Sequence, residues 1–204
     1  YNNARWYDPE RGRWMSEEPL GLDGPNLYDF SFGDAANNLD FNGLLVTVHP
    51  GSTSSDRDYL ESLLDSIKET DPCFCGAILE HLESSRFDHI LTLNLPTMMG
   101  SQVNPLNSDW TNATTPGVGS GTHINLDQLE QRTAGRLPSG ANLPMAVILC
   151  HELVHAWQAD RGILDLAWSP NGAWRNAEDA AVRGENNIRD RIGLPRRPNY
   201  GVFP

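Results

Sequence analysis

One stretch constrains the fold more than any other: an apolar run that continues without a break into two histidines four residues apart. Met145-Ala146-Val147-Ile148-Leu149-Cys150 leads directly into His151-Glu152-Leu153-Val154-His155. Residues four apart lie on one face of an α-helix, with Cβ atoms about 6 Å apart. The pattern predicts a helix over 143–161, stopped at Gly162, that enters the site from a buried side.

Two imidazoles at this spacing are what a tetrahedral zinc ion needs from one helix. Glu152 lies beside the same face, within reach of a metal-bound water. Zinc lowers the pKa of such a water to near 7 and polarises a carbonyl. Glu152 is then expected to take the water's proton during attack and pass it to a leaving amine. The expected chemistry is zinc-dependent hydrolysis of peptide bonds.

Zinc in a catalytic site keeps three protein ligands and one open position. No histidine follows His155, so the H-E-x-x-H-x-x-G-x-x-H pattern is absent. The third ligand must be an Asp, a Glu or an upstream His. A helix predicted over 176–192 offers Glu178 as first choice, a gluzincin-like arrangement, with Asp179 and then Glu185 as alternatives. Arg197 and Tyr200 are candidates to donate to a developing oxyanion. A strand predicted over 122–127, carrying His123, could present its edge to an extended substrate.

The rest of the chain reads as α+β. Strands are expected at 45–48, 89–95 and 122–127, and helices at 56–70 and 77–82, the first capped by Ser54, Ser55 or Asp56. Residues 100–121, rich in Gly, Asn, Thr and Pro, read as a loop. Length, 204 residues, suits one ordinary domain with a small appendage. Hydrophobic content of 39% and charged content of 21% read as globular. No apolar run approaches the roughly 18–20 residues of a membrane span, and no signal peptide is visible. The chain lacks an initiator Met and reads as a piece of something longer. A net charge of −12 argues against a phosphate backbone as partner. The odd count of cysteines, Cys73, Cys75 and Cys150, argues against a disulfide framework and predicts small, partly buried side chains.

Residues 1–44 differ in texture. Tyr1-Asn2-Asn3-Ala4-Arg5-Trp6-Tyr7-Asp8-Pro9 through Gly12-Arg13-Trp14, then Glu18-Pro19-Leu20-Gly21-Leu22, Asn26-Leu27-Tyr28 and Asp40-Phe41-Asn42-Gly43-Leu44 are short apolar runs broken by turn signals. This segment resembles the end of an Rhs-repeat core. The resemblance implies a β-shell enclosing a C-terminal toxin over 45–204, self-cleaved after Leu44 by a pair of acids at Asp8 and Glu18. The family has Asp where Glu18 stands, and its final D-P is Asp40-Phe41 here. Mass spectrometry finding only an intact 44–45 bond would sink autocleavage.

A second resemblance covers about residues 120–200. Gly121-Thr122-His123-Ile124, His151-Glu152-Leu153-Val154-His155-Ala156-Trp157, Glu178-Asp179 through Arg183-Gly184-Glu185-Asn186 and Arg189, and Gly193-Leu194-Pro195-Arg196-Arg197 to Tyr200 are similar to the NleD-like effector metallopeptidases. The resemblance implies a minimal zincin fold, a zinc cofactor held by His151, His155 and Glu178, and Glu152 as general base. It implies a hydrolase acting on a protein inside the target cell. The Arg197-x-x-Tyr200 spacing also resembles the clostridial neurotoxin peptidases, where these side chains assist the transition state. Together the two resemblances imply a secreted polymorphic toxin, with the Rhs shell and a cognate immunity protein as partners and delivery into the target-cell cytoplasm. The alternatives are a non-catalytic toxin stabilised by a structural metal, or a plug of the shell.

Overall fold

The computed structural model describes residues 7–8, 13–14, 46–95, 100–130, 143–168 and 175–198. Tyr1–Leu44 and Leu45–Pro204 form two compact units. In the first, strands β1 (Tyr7–Asp8) and β2 (Arg13–Trp14) pair antiparallel. The side chain of Asp8, Glu18, the proposed cleavage position after Leu44, and Tyr200 all lie outside the described residues.

The second unit runs β3 (Val46–Val48), α1 (Ser54–Thr70), α2 (Cys75–Glu83), β4 (His89–Leu93), β5 (Gln102–Pro105), α3 (Trp110–Ala113), β6 (Thr122–Leu126), α4 (Met145–Asp160) and α5 (Asn176–Arg191). It is an α+β unit around a small mixed sheet of order β3-β4-β6-β5. β3, β4 and β6 are parallel, and β5 joins β6 antiparallel.

Side chains alternate across a strand, so register decides what reaches the core. Val48 pairs with Leu91, and Leu91 with Ile124. All three are buried in one cluster with Leu126. The helices close over that face with Leu60, Leu64 and Ile67 of α1, Leu79 and Leu82 of α2, and Leu149 and Leu153 of α4. Thr53 caps α1, its Oγ1 accepting from Asp56 N at 3.2 Å, one residue before the caps the sequence suggested. Such a cap contributes about 1 kcal/mol.

α4 has 13 buried residues of 16, as expected of a helix that is apolar nearly all round. It ends before Gly162, whose φ of +68° suits glycine. A Cβ there would collide with Thr115 O.

Three expectations are corrected. Residues 100–121 contain β5 and α3 rather than loop alone. β5 is Gln-Val-Asn-Pro, held by backbone pairing to β6, and its side chains carry no apolar alternation to announce it. β6 does not offer an edge, because β4 and β5 flank it on both sides. And Cys75 and Cys150 are joined in a disulfide, with Cα atoms 5.6 Å apart, while Cys73 is free and exposed. The odd count leaves one thiol over instead of forbidding a pair. A cross-link spanning 75 residues removes about 4 kcal/mol of chain entropy from the unfolded state in the loop-closure account.

Candidate metal centre

The site forms where α5 crosses α4. Gly184 permits the approach: a Cβ there would sit 2.6 Å from Val154 Cγ2 and 2.9 Å from Phe74 Cε1. Side chains seven apart on a helix stand two turns apart on nearly one face. Glu178 and Glu185 of α5 therefore both point toward α4, and both reach His151.

Three donor atoms converge. His151 Nε2 and His155 Nε2 are 3.2 Å apart. Glu178 Oε2 lies 3.2 Å from the first and 3.3 Å from the second. His151, His155 and Glu178 thus make a group that could hold a metal ion. Bonds of about 2.0–2.1 Å in a tetrahedron give ligand–ligand edges of about 3.3 Å. The observed triangle matches that edge. Two imidazole nitrogens this close need a proton or a cation between them, since two lone pairs repel. The donor set fits zinc, which favours imidazole and carboxylate ligands.

Each histidine is oriented from behind. His151 Nδ1 lies 3.2 Å from Glu185 Oε2, and His155 Nδ1 lies 3.4 Å from Gln158 Oε1. Donation from Nδ1 leaves the Nε2 lone pairs facing the triangle. Glu185 is itself held, with Arg189 Nε donating to Oε1 at 2.6 Å and Arg197 Nη1 to Oε2 at 3.1 Å.

Charge follows this geometry. Burial works to lower the His151 pKa, but hydrogen bonds with Glu178 and Glu185 and the nearby Glu152 raise it to about 10. Burial works to raise Glu178, yet its bonds to His151 and His155 take it down to about 2. Burial pushes Glu152 up to about 7 against the pull of His151 and His155. Without an ion, the centre traps a proton where a cation fits.

The other candidates fall in different places. Asp179 is not in the donor group. Arg197 is buried, and its backbone is clamped by Asn186, whose Oδ1 accepts from Arg197 N at 2.7 Å and whose Nδ2 donates to Arg197 O at 2.8 Å. Its guanidinium meets the centre through Glu185, one step back from the donor triangle. His123 stacks on His49, with ring centroids 6.2 Å apart, on the sheet face opposite Ile124. Sequence reasoning missed Gln158, gave Arg189 no role beyond its place in the resemblance, and weighed Glu185 only as a ligand. The seven-residue step from Glu178 to Glu185 and the i,i+4 pair Glu185–Arg189 were the available signals.

Fold and centre together define an α+β unit with a three-donor group on two crossed helices, its histidines buried and Glu178 partly exposed. No family model matches the chain, and no curated protein or solved structure matches it.

Proposed function

We propose that residues 45–204 are a zinc-dependent endopeptidase. The observation that carries this is the donor triangle of His151, His155 and Glu178, with a buried carboxyl, Glu152, beside it in sequence. Three protein donors leave a tetrahedral ion one open position, the arrangement of catalytic zinc.

Bound there, zinc supplies Lewis acidity toward the scissile carbonyl and toward water. Glu152 accepts the proton of the attacking water and delivers it to the departing amine. A buried carboxyl directly following His151 is placed for both halves of that transfer. Glu185 and Gln158 hold the two imidazoles in the tautomer that serves the ion. Arg197 keeps Glu185 charged and in place, and Tyr200 is proposed as the oxyanion donor. An extended substrate would run along β5, the edge of the sheet among the described residues on the β6 side.

The zincin-like assignment of this fold and the setting of the reaction rest on sequence resemblance. In that reading the peptidase is cargo of an Rhs shell, released after Leu44, restrained by an immunity protein and active on a protein in the target-cell cytoplasm. The test expresses residues 45–204 beside Glu152→Gln and compares new protein N-termini across the target proteome. Glu152→Gln is expected to retain one zinc per chain and to lose about 10²–10⁴ in rate. Equal sets of new N-termini in the two samples refute the general-base role.

A further inference from the structure

The cysteines stand outside the proposed catalysis, yet they touch its scaffold. Cys75 is the first residue of α2, and Cys150 lies in α4 immediately before His151. Both are fully buried, so an external reductant cannot approach their bond directly. Cys73 is exposed and sits two residues from Cys75.

We propose that Cys73, Cys75 and Cys150 form a thiol–disulfide exchange site, through which an external dithiol opens the covalent tie beside the metal helix. Residues two apart have Cα atoms at most about 7 Å apart, and closer in a turn. That overlaps the 4.4–6.8 Å window of disulfides, so a Cys73–Cys75 bond is within reach of the chain. Tethering next to the target bond gives the Cys73 thiol a high effective concentration that no free thiol has at a buried disulfide.

The exchange balances without any added oxidant. Cys73 loses its proton to solvent, and the thiolate attacks Cys75 Sγ. The Cys73–Cys75 bond forms as the Cys75–Cys150 bond breaks. The electron pair leaves on Cys150 Sγ, which takes up a proton. A dithiol then attacks the exposed Cys73 Sγ, releasing Cys75 as a thiol. Its second sulfur closes the dithiol to a cyclic disulfide, releasing Cys73. The dithiol is oxidised by two electrons and the protein ends with three thiols.

The reduced state has a place prepared for it. Gly184 O lies 3.5 Å from Cys150 Sγ and 4.0 Å from Cys75 Sγ, so a buried S–H at Cys150 finds an acceptor. The same carbonyl belongs to the glycine at which α5 crosses α4. Opening the tie therefore removes the covalent link between α2 and α4, at a point one residue from His151. This site is independent of the peptidase assignment, because it needs neither zinc nor Glu152.

The test uses the full chain, air-oxidised, exposed to dithiothreitol and quenched with an alkylating agent at timed intervals. Peptide mass mapping follows loss of the Cys75–Cys150 link. Cys73→Ser and Cys73→Ala are each expected to slow that loss at least 10-fold, with the melting temperature of the oxidised protein unchanged. Early quenching of the wild type is expected to capture a Cys73–Cys75 link or dithiothreitol attached at Cys73. Equal reduction rates in wild type and both variants overturn the proposal. So does an oxidised protein in which Cys75 and Cys150 are not linked.

Discussion

Glu185→Gln tests the centre without touching any of its three donor atoms. Glu185 is 2% exposed and meets three groups: Arg189 Nε at 2.6 Å, Arg197 Nη1 at 3.1 Å and His151 Nδ1 at 3.2 Å. Both arginines are buried, at 1% and 5% exposure. Glutamine fills the same space but removes the negative charge, leaving two cations in a dry environment. Removing one partner of a buried ion pair costs about 3–5 kcal/mol. Arg189 also donates to Pro195 O at 3.1 Å, which favours the lower end of that range. At about 2–4 °C per kcal/mol for a chain of this size, the melting temperature should fall by roughly 6–20 °C. Zinc affinity should fall about 10–100-fold, because the His151 imidazole loses its orienting carboxylate. Thermal melts followed by circular dichroism give the first number, and competition with a chromophoric chelator gives the second. The double variant Glu185→Gln/Arg197→Gln should be less destabilised than the sum of its two single variants, because the interaction between the pair is then lost only once. A loss below about 1 kcal/mol, or a double variant less stable than the sum of its parts, refutes the account of a buried charge pair.

Two further perturbations probe the frame around the centre. Asp160, at the end of α4, is bound by His81 Nε2 at 3.0 Å, His89 Nε2 at 3.2 Å and Ser85 Oγ. Burial works to raise its pKa, but the bonds from His81, His89 and Ser85 hold it well below the usual value of 3.8. Its stabilisation is therefore complete above that value and is lost as pH falls below it. Asp160→Asn should flatten the acid limb of stability below pH 3.8 in urea titrations, and an unchanged limb would show that Asp160 does not drive it. Gly184→Ala should cost about 1–3 kcal/mol through overpacking against Val154 and Phe74, offset by about 1 kcal/mol of helix propensity. A melting temperature above that of the wild type would show that α5 does not need the close crossing.

Local rules made much of this protein legible. The 3.6-residue period of α1, and the apolar approach to His151, placed those helices within a residue or two of where they lie. Backbone geometry alone put His151 and His155 on one face, since four residues make just over one turn. β5 was illegible because its pairing uses backbone groups, which every sequence has. The Cys75–Cys150 bond was illegible for a related reason: a parity count treats cysteines as a set, whereas bonding depends on which two sulfurs the packing brings together.

The donor triangle divides along the same line. The sequence alone determined two of its corners and the residue types that could serve as the third. Glu178, Asp179 and Glu185 remained alternatives, because nothing local distinguishes carboxylates on a second helix. Only the tertiary structure decided among them. The crossing of α5 over α4 at Gly184 aims two carboxylates seven residues apart at one imidazole, Glu178 to its Nε2 and Glu185 to its Nδ1. One joins the group that could hold an ion and the other anchors the histidine. That distinction is a matter of distance and direction between helices, and these exist only once the chain has packed.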